Sequence, residues 1–463
     1  MYPGFKKNSL QGEIIMNEDV QLSRSLTLTS IIAYGFAFMA LITVFSTYGV
    51  ASQISQGMVA GSYVLALIVM LFTAYSYGQM AKAYPVSGSA YTYTRKAISP
   101  YAGFLIGWAI LMDYLFIPMV NFLLFGIFFS AAFPEIPMQL WILVLIVVVT
   151  YVNVKGVKVG ARANMLVLSL SLLFLLIFSI LSIKAIVQGT GTGMLLNIEP
   201  FFNSNESFKY VITGAALLCF SFLGFDAVST FSEEVKNPKK NIPRAILIVT
   251  IIGGIIFIIV SYLAHNVWPD YNSFKDADAA SYEIMARVGG SALESAFLAV
   301  TAIVVFGSAS AAQASAYRVL YAMGRDGQLP KSFFGKLSKK TKVPVNNILL
   351  ISLLSLSALF LSLTLVASFI NFGALIAFAF VNISVIVLYF GKKRKRSLRG
   401  VMKYFIIPSV GCLLNVVLLF NLDSYSKILG SIWFGLGVLY LIFLTKGFRQ
   451  KLPEMEKDKD KAV

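Results

Sequence analysis

Two carboxylates stand inside long apolar runs. Asp113 lies in Leu111-Met112-Asp113-Tyr114-Leu115-Phe116-Ile117-Pro118, and Asp226 closes Cys219-Phe220-Ser221-Phe222-Leu223-Gly224-Phe225-Asp226. A carboxylate in hydrocarbon costs roughly 2.5–3.5 kcal/mol on insertion scales, so a position of this kind is a functional candidate by default. The chemistry open to such a pair is to hold a cationic substrate, to bind a coupling ion, or to carry a proton. Lys and Arg cluster at the ends of the apolar runs, so neither acid has an obvious internal cation. Each also has a plainer reading. Asp113 would be a protonated or hydrogen-bonded structural acid near Tyr114, and Asp226 a cap accepting backbone N–H groups.

The runs that carry such groups are weak helices at mid-depth. One contains Gly35, then Ile42-Thr43-Val44-Phe45-Ser46-Thr47, then Gly49, and another holds the Ser221–Gly224 stretch before Asp226. Glycine and clustered hydroxyls weaken a helix, and a hydroxyl can re-bond freed backbone groups. Inside a membrane, non-helical backbone survives only where it lines protein or a cavity. Two interrupted spans five apart predict a transporter with its site at the midplane. Close packing of glycines between helices is the alternative.

Composition supplies the setting. Of 463 residues, 58% are apolar, 13% are charged and 14% aromatic. The charged share is about half the soluble norm of roughly 25%. A soluble enzyme is excluded on that ground, and continuous apolar runs exclude a β-barrel. The formal net charge of +17 sits in short clusters between spans rather than on one nucleic-acid-binding face. Cys219 and Cys412 both fall in apolar runs and read as core residues. One histidine and two distant cysteines cannot build a metal site, and no cofactor is expected. His265, beside Trp268, reads as an interface residue, with an external pH sensor as the sharper alternative.

A hydrocarbon core of about 30 Å needs roughly 20 helical residues. Twelve spans are predicted, near 27–50, 58–80, 101–132, 138–155, 162–187, 208–231, 244–268, 290–321, 345–363, 366–390, 403–420 and 428–446. Counting Lys and Arg by side gives 33 on one face and 5 on the other. The positive-inside rule then puts both termini in the cytoplasm. The expected organisation is a tail over 1–24, one transmembrane domain over 25–446 and a second tail over 447–463, whose run from Glu454 to Lys461 reads as solvated. Met16 is an alternative start, and no cleavable signal peptide is visible.

Three further stretches carry a family resemblance. Tyr84-Pro85-Val86-Ser87-Gly88-Ser89-Ala90-Tyr91-Thr92-Tyr93 resembles the P-x-x-G-(S/G)-x-Y-x-Y loop of the amino acid–polyamine–organocation (APC) permeases. Gly224-Phe225-Asp226, followed by Glu233-Glu234, Asn237-Pro238 and Asn241-Ile242-Pro243-Arg244-Ala245-Ile246, is similar to the family signature after its sixth span. Arg318, Tyr321 and Met323-Gly324-Arg325-Asp326-Gly327-Gln328-Leu329-Pro330 resemble its segment after the eighth. Within the family the likeness is greatest to bacterial putrescine importers, through Thr43-Val44-Phe45, the Asp113 and Asp226 runs, and Asn371-Phe372-Gly373.

The resemblance implies an all-α integral membrane protein with the five-plus-five inverted-repeat (LeuT-like) fold and broken helices 1 and 6. The repeats would cover about 27–187 and 208–390, with extra helices over 403–446. It implies a secondary importer in the bacterial inner membrane, working by alternating access as a monomer, surrounded by lipid and binding no nucleic acid. Putrescine coupled to protons is the expected cargo. A neutral or other amino acid importer or exchanger is the alternative, and a channel or amino-acid sensor is a different class. The implied substrate residues are Thr43, Val44, Phe45, Ser46, Asp113, Phe220, Ser221, Phe222, Gly224, Asp226, Asn371 and Phe372. H+ or Na+ would couple through Asp113, Asp226 or Ser171. Two departures matter. Ser46 stands where putrescine importers carry Asp, and the fifth span has Ser169-Leu170-Ser171 where some proton-coupled relatives have a lysine. The β-branched and aromatic residues of the first break are poorly suited to the open N–H nest that holds a substrate carboxylate, which favours an amine.

Overall fold

The computed structural model describes residues 26–86, 89–156, 161–325, 327–341, 343–450 and 452. The tails over 1–24 and 453–463, Ser87 and Gly88 of the first motif, and Asp326 of the third lie outside the described residues.

The described chain is helical. In order come α1 (Leu28–Met39), α2 (Tyr48–Ile54), α3 (Val59–Ala83), α4 (Ser89–Ala97), α5 (Pro100–Ala132), α6 (Met138–Val154), α7 (Ala161–Val187) and α8 (Phe208–Leu218). They are followed by α9 (Pro238–Val267), α10 (Ala280–Arg325), α11 (Lys331–Phe334), α12 (Val345–Ser355), α13 (Leu363–Val385), α14 (Leu398–Val401), α15 (Ile407–Phe420) and α16 (Ser424–Leu444). A single parallel bridge joins Leu26 to Val235.

Among the described residues, ten helical stretches are long and apolar enough to cross a membrane. The protein is therefore a multi-pass membrane protein. Two further expected spans form shorter apolar helices, Met138–Val154 and Val345–Leu359. Seventeen residues of helix reach only about 25 Å, less than a full hydrocarbon core. The outward faces of these helices are greasy. Val147, Leu176, Leu353 and Leu439 are exposed, as lipid contact requires.

Two stretches read as loops are helical. The segment after the second span forms α4, capped on its far side by Ser99, whose hydroxyl starts α5 by accepting from Ala102 N–H at 3.1 Å. Residues 280–289 form a helix that runs into the eighth span across Gly290, whose φ of 61° turns the chain. His265 is not an exposed interface residue. It is buried at the end of α9 against Gly57 and Tyr271, and neither ring nitrogen has a described hydrogen-bond partner. Both cysteines are free, Cys219 buried and Cys412 half-buried.

Small residues let the core helices close up. The strongest packing is of α3 on α9 and of α5 on α10 and α13. A Cβ on Gly373 of α13 would sit 2.6 Å from the Ala109 carbonyl of α5. Buried amides tie the same helices. Asn382 accepts from Ser76 at 2.6 Å, and Asn415 donates to Thr73 at 2.9 Å. Replacing Gly373 by Val should force α13 off α5 at a cost of about 1–3 kcal/mol. A lowered melting midpoint of the detergent-purified protein is the expected result, and an unchanged midpoint would refute this packing.

Candidate substrate site

The first interruption begins earlier than the residue types indicate. Helix α1 ends at Met39, and Ala40 takes a left-handed backbone with φ 47°. A tight 3-10 turn over Leu41–Phe45 follows, and α2 resumes at Tyr48. Hydroxyls collect the carbonyls that the break releases. Ser46 Oγ donates to Thr43 O at 2.6 Å, Thr43 Oγ1 to Met39 O at 3.4 Å, and Ser281 Oγ to Phe45 O at 2.7 Å.

The second interruption follows α8. A 3-10 turn over Cys219–Phe222 ends in Leu223, which is extended, and Gly224 has φ +125°. Asp226 Oδ1 accepts the Gly224 N–H at 3.2 Å, so the acid pins the very break it follows. A second 3-10 turn, Ala227–Phe231, leads towards α9. Asn371 of α13 donates to Ala216 O at 2.9 Å and to Leu217 O at 2.8 Å, satisfying carbonyls freed at the end of α8. Tyr63 and Ser221 share a hydrogen bond of 3.1 Å. The two breaks touch, since a Cβ on Gly224 would lie 2.7 Å from Met39 N.

Between them opens a cavity of about 780 Å³. Its wall runs from Ala40, Thr43 and Phe220 past Asn121 and Asn153 to Arg318, Tyr321 and Pro344. The far end therefore reaches loops on the face rich in Lys and Arg, here called the basic face. The opposite end is shut. Tyr271 donates to Gln56 Oε1 at 3.0 Å and accepts from Gln53, while Gly49 is pressed against the Ala277 carbonyl. Phe45 packs edge-on against Phe178 at 5.0 Å and Phe297 at 5.7 Å, which seals the cavity on that side.

The expected site residues divide into three groups. Thr43 and Phe220 line the cavity. Ser46, Ser221, Gly224 and Asn371 shape the breaks without reaching the wall. Val44, Phe45, Phe222 and Phe372 are core packing: Phe222 meets Phe257 at 5.4 Å, and Phe372 is turned towards Gly430 of α16. The packing fills those positions because a ring in a break finds apolar neighbours on the side away from the hollow. Ser171 donates to Val167 O at 2.8 Å, inside its own helix and off the wall.

Asp113 and Asp226 are brought within electrostatic range of one another and of Tyr77 and Tyr114. Neither is among the residues bordering the cavity, although Leu223 and Ala227 on either side of Asp226 are, and both acids keep part of their surface open. No described Lys or Arg pairs with either acid, and Asp113 Oδ1 is buried without a hydrogen-bond partner. Among the residues described on the wall, the one charge is Arg318. The residues missed from the sequence are the wall amides Asn121 and Asn153. Both were visible as lone polar residues in apolar spans, but uncharged amides are also ordinary helix packing.

Interrupted helices around a one-sided hollow define a membrane carrier. The chain belongs to the amino acid permease family, whose model matches residues 28–453. It is 41% identical over 438 residues to the low-affinity putrescine importer PlaP of Escherichia coli K12, covering 94% of this chain and 97% of that one. At 27% identity it is similar to the methylthioribose transporter and the branched-chain amino acid permease BcaP of Bacillus subtilis, each with 96% of this chain and 98% of the relative aligned. The protein is a transporter.

Thr43→Cys should react with a membrane-impermeant thiol reagent presented at the basic face, and Phe372→Cys should not. Labelling measured on reconstituted protein of known orientation gives the answer. Equal reaction at both positions would contradict the cavity boundary.

Proposed function

We propose that the protein imports a small primary amine, with putrescine the best fit, across the bacterial inner membrane by alternating access. Both termini lie in the cytoplasm in this reading, so the basic face is cytoplasmic and the cavity faces inward. Twelve spans make the topology, the short α6 and the Val345–Leu359 helix included. Spans one to five and six to ten form the inverted repeats, and the last two lie outside them. One chain encloses the whole cavity, so a monomer is the working unit.

Asp113 and Asp226 carry this reading. Two carboxylates with no described protein cation, Asp226 at the second break and Asp113 within its electrostatic range, cannot both be ionised cheaply in a low-dielectric setting. A proton shared by the pair, bound from one side of the membrane and released to the other, couples the carrier to the proton gradient. Asp226 also holds Gly224, so its charge state bears directly on the geometry of the break. The printed activity of the PlaP relative supports the cargo. Ser171 does not border the described cavity, which favours the two acids over it as the coupling groups.

A second reading has one observation in its favour. The described wall carries no carboxylate, which suits a neutral amino acid, imported or exchanged. Counterflow against net uptake in proteoliposomes, with putrescine and with neutral amino acids, separates the two.

For the coupling, Asp113→Asn and Asp226→Asn should each reduce proton-driven putrescine accumulation by about tenfold or more. Counterflow exchange should persist, because exchange needs the cavity and not the gradient. Uphill accumulation preserved in both variants would eliminate the pair as the coupling element.

A further inference from the structure

Neither acid is among the residues bordering the cavity, so a cation inside it meets neutral oxygens first. The wall offers amide oxygens in fixed orientation. Asn153, 3% exposed, donates its NH2 group to Val149 O at 3.1 Å, Gln313 Oε1 at 2.9 Å and Ser310 O at 3.4 Å. Two of these acceptors are backbone carbonyls, which decide which end of the amide is nitrogen. Gln313 is fixed in turn. Its own NH2 goes to Ser352 Oγ at 2.9 Å, and Ser352 contacts Thr150 at 2.7 Å and donates to Ile348 O at 2.9 Å. The network spends every N–H of Asn153 and leaves Oδ1 with no described donor.

Asn121 repeats the device on α5. Its NH2 donates to Ile117 O at 3.0 Å, and no described group donates to its Oδ1. Two side-chain oxygens, from α5 and α6, thus border one hollow with acceptor capacity unused.

We propose that Asn121 and Asn153 form a subsite for a primary ammonium, the cationic end of the transported amine. A primary ammonium offers three N–H donors, and amide and hydroxyl oxygens accept them. The subsite recognises N–H groups in place of net charge. It also holds the cation without an opposite full charge that would have to be separated again on release. This inference deepens the amine-import reading and rests on it.

The test uses the unmodified protein in proteoliposomes. Labelled putrescine counterflow is competed with putrescine and with the bis-quaternary, fully N-methylated diamine of the same chain length. The quaternary compound has both charges and no N–H, so it should compete at least about tenfold more weakly. Asn121→Leu should raise the KM for putrescine by about tenfold with the melting midpoint unchanged. Equal competition by the quaternary compound overturns the subsite, as does an unaltered KM in Asn121→Leu. Wild-type liposomes that move no amine at all overturn the amine reading itself, a result distinct from either.

Discussion

Lipid supplies no hydrogen bonds, so each backbone group released by a broken helix has to find a partner within the protein. That demand organises the centre of this molecule. The first break hands its carbonyls to Thr43, Ser46 and Ser281. The second hands its own to Asn371 and gives the Gly224 N–H to Asp226. Partners come from helices far apart in sequence, α10 for the first break and α13 for the second. Each break is therefore tied to a helix from another part of the chain.

The same constraint separates two kinds of polar chemistry. Carboxylates gather behind the second break with Tyr77 and Tyr114 in range, while uncharged amides and hydroxyls face the hollow. Leu223 and Ala227, on either side of Asp226, border the hollow, so a turn of backbone separates this acid from it.

Much of the fold was legible because its signals are local. Hydropathy gives the spans. The seventeen-residue α6 and the interrupted ninth span were readable as apolar runs, but not as helices shorter than a membrane is thick. Helix α4 and the helix over 280–289 escaped because polar, amphipathic segments at a membrane surface carry no span signal. At the site, charge in the wrong solvent marked Asp113 and Asp226, whereas their absence from the cavity border was not readable. Which way a ring turns is a property of packing. Phe372 faces Gly430 because α16 offers a bare backbone there, and no spacing within α13 records that. Asn121 and Asn153 were overlooked for the converse reason, since an amide in a span looks the same whether it ties helices or faces a cavity.

The first break finally bears on what the carrier can hold. An open nest of N–H groups would attract a carboxylate at the end of a half-helix. Here the N–H of Thr43 bonds Ala40 O at 2.8 Å and that of Ser46 bonds Thr43 O at 3.0 Å. The 3-10 winding between them consumes donors three residues apart, as such turns do. Thr43, Val44 and Phe45 enforce the winding, because branched and aromatic side chains resist the positive φ that a nest needs. Ala40 alone adopts it. A break built this way spends the Thr43 and Ser46 N–H groups on its own turn, while the side-chain oxygens of Asn121 and Asn153 border the hollow with no described donor. Acceptors of that kind match a cargo whose polar ends are donors.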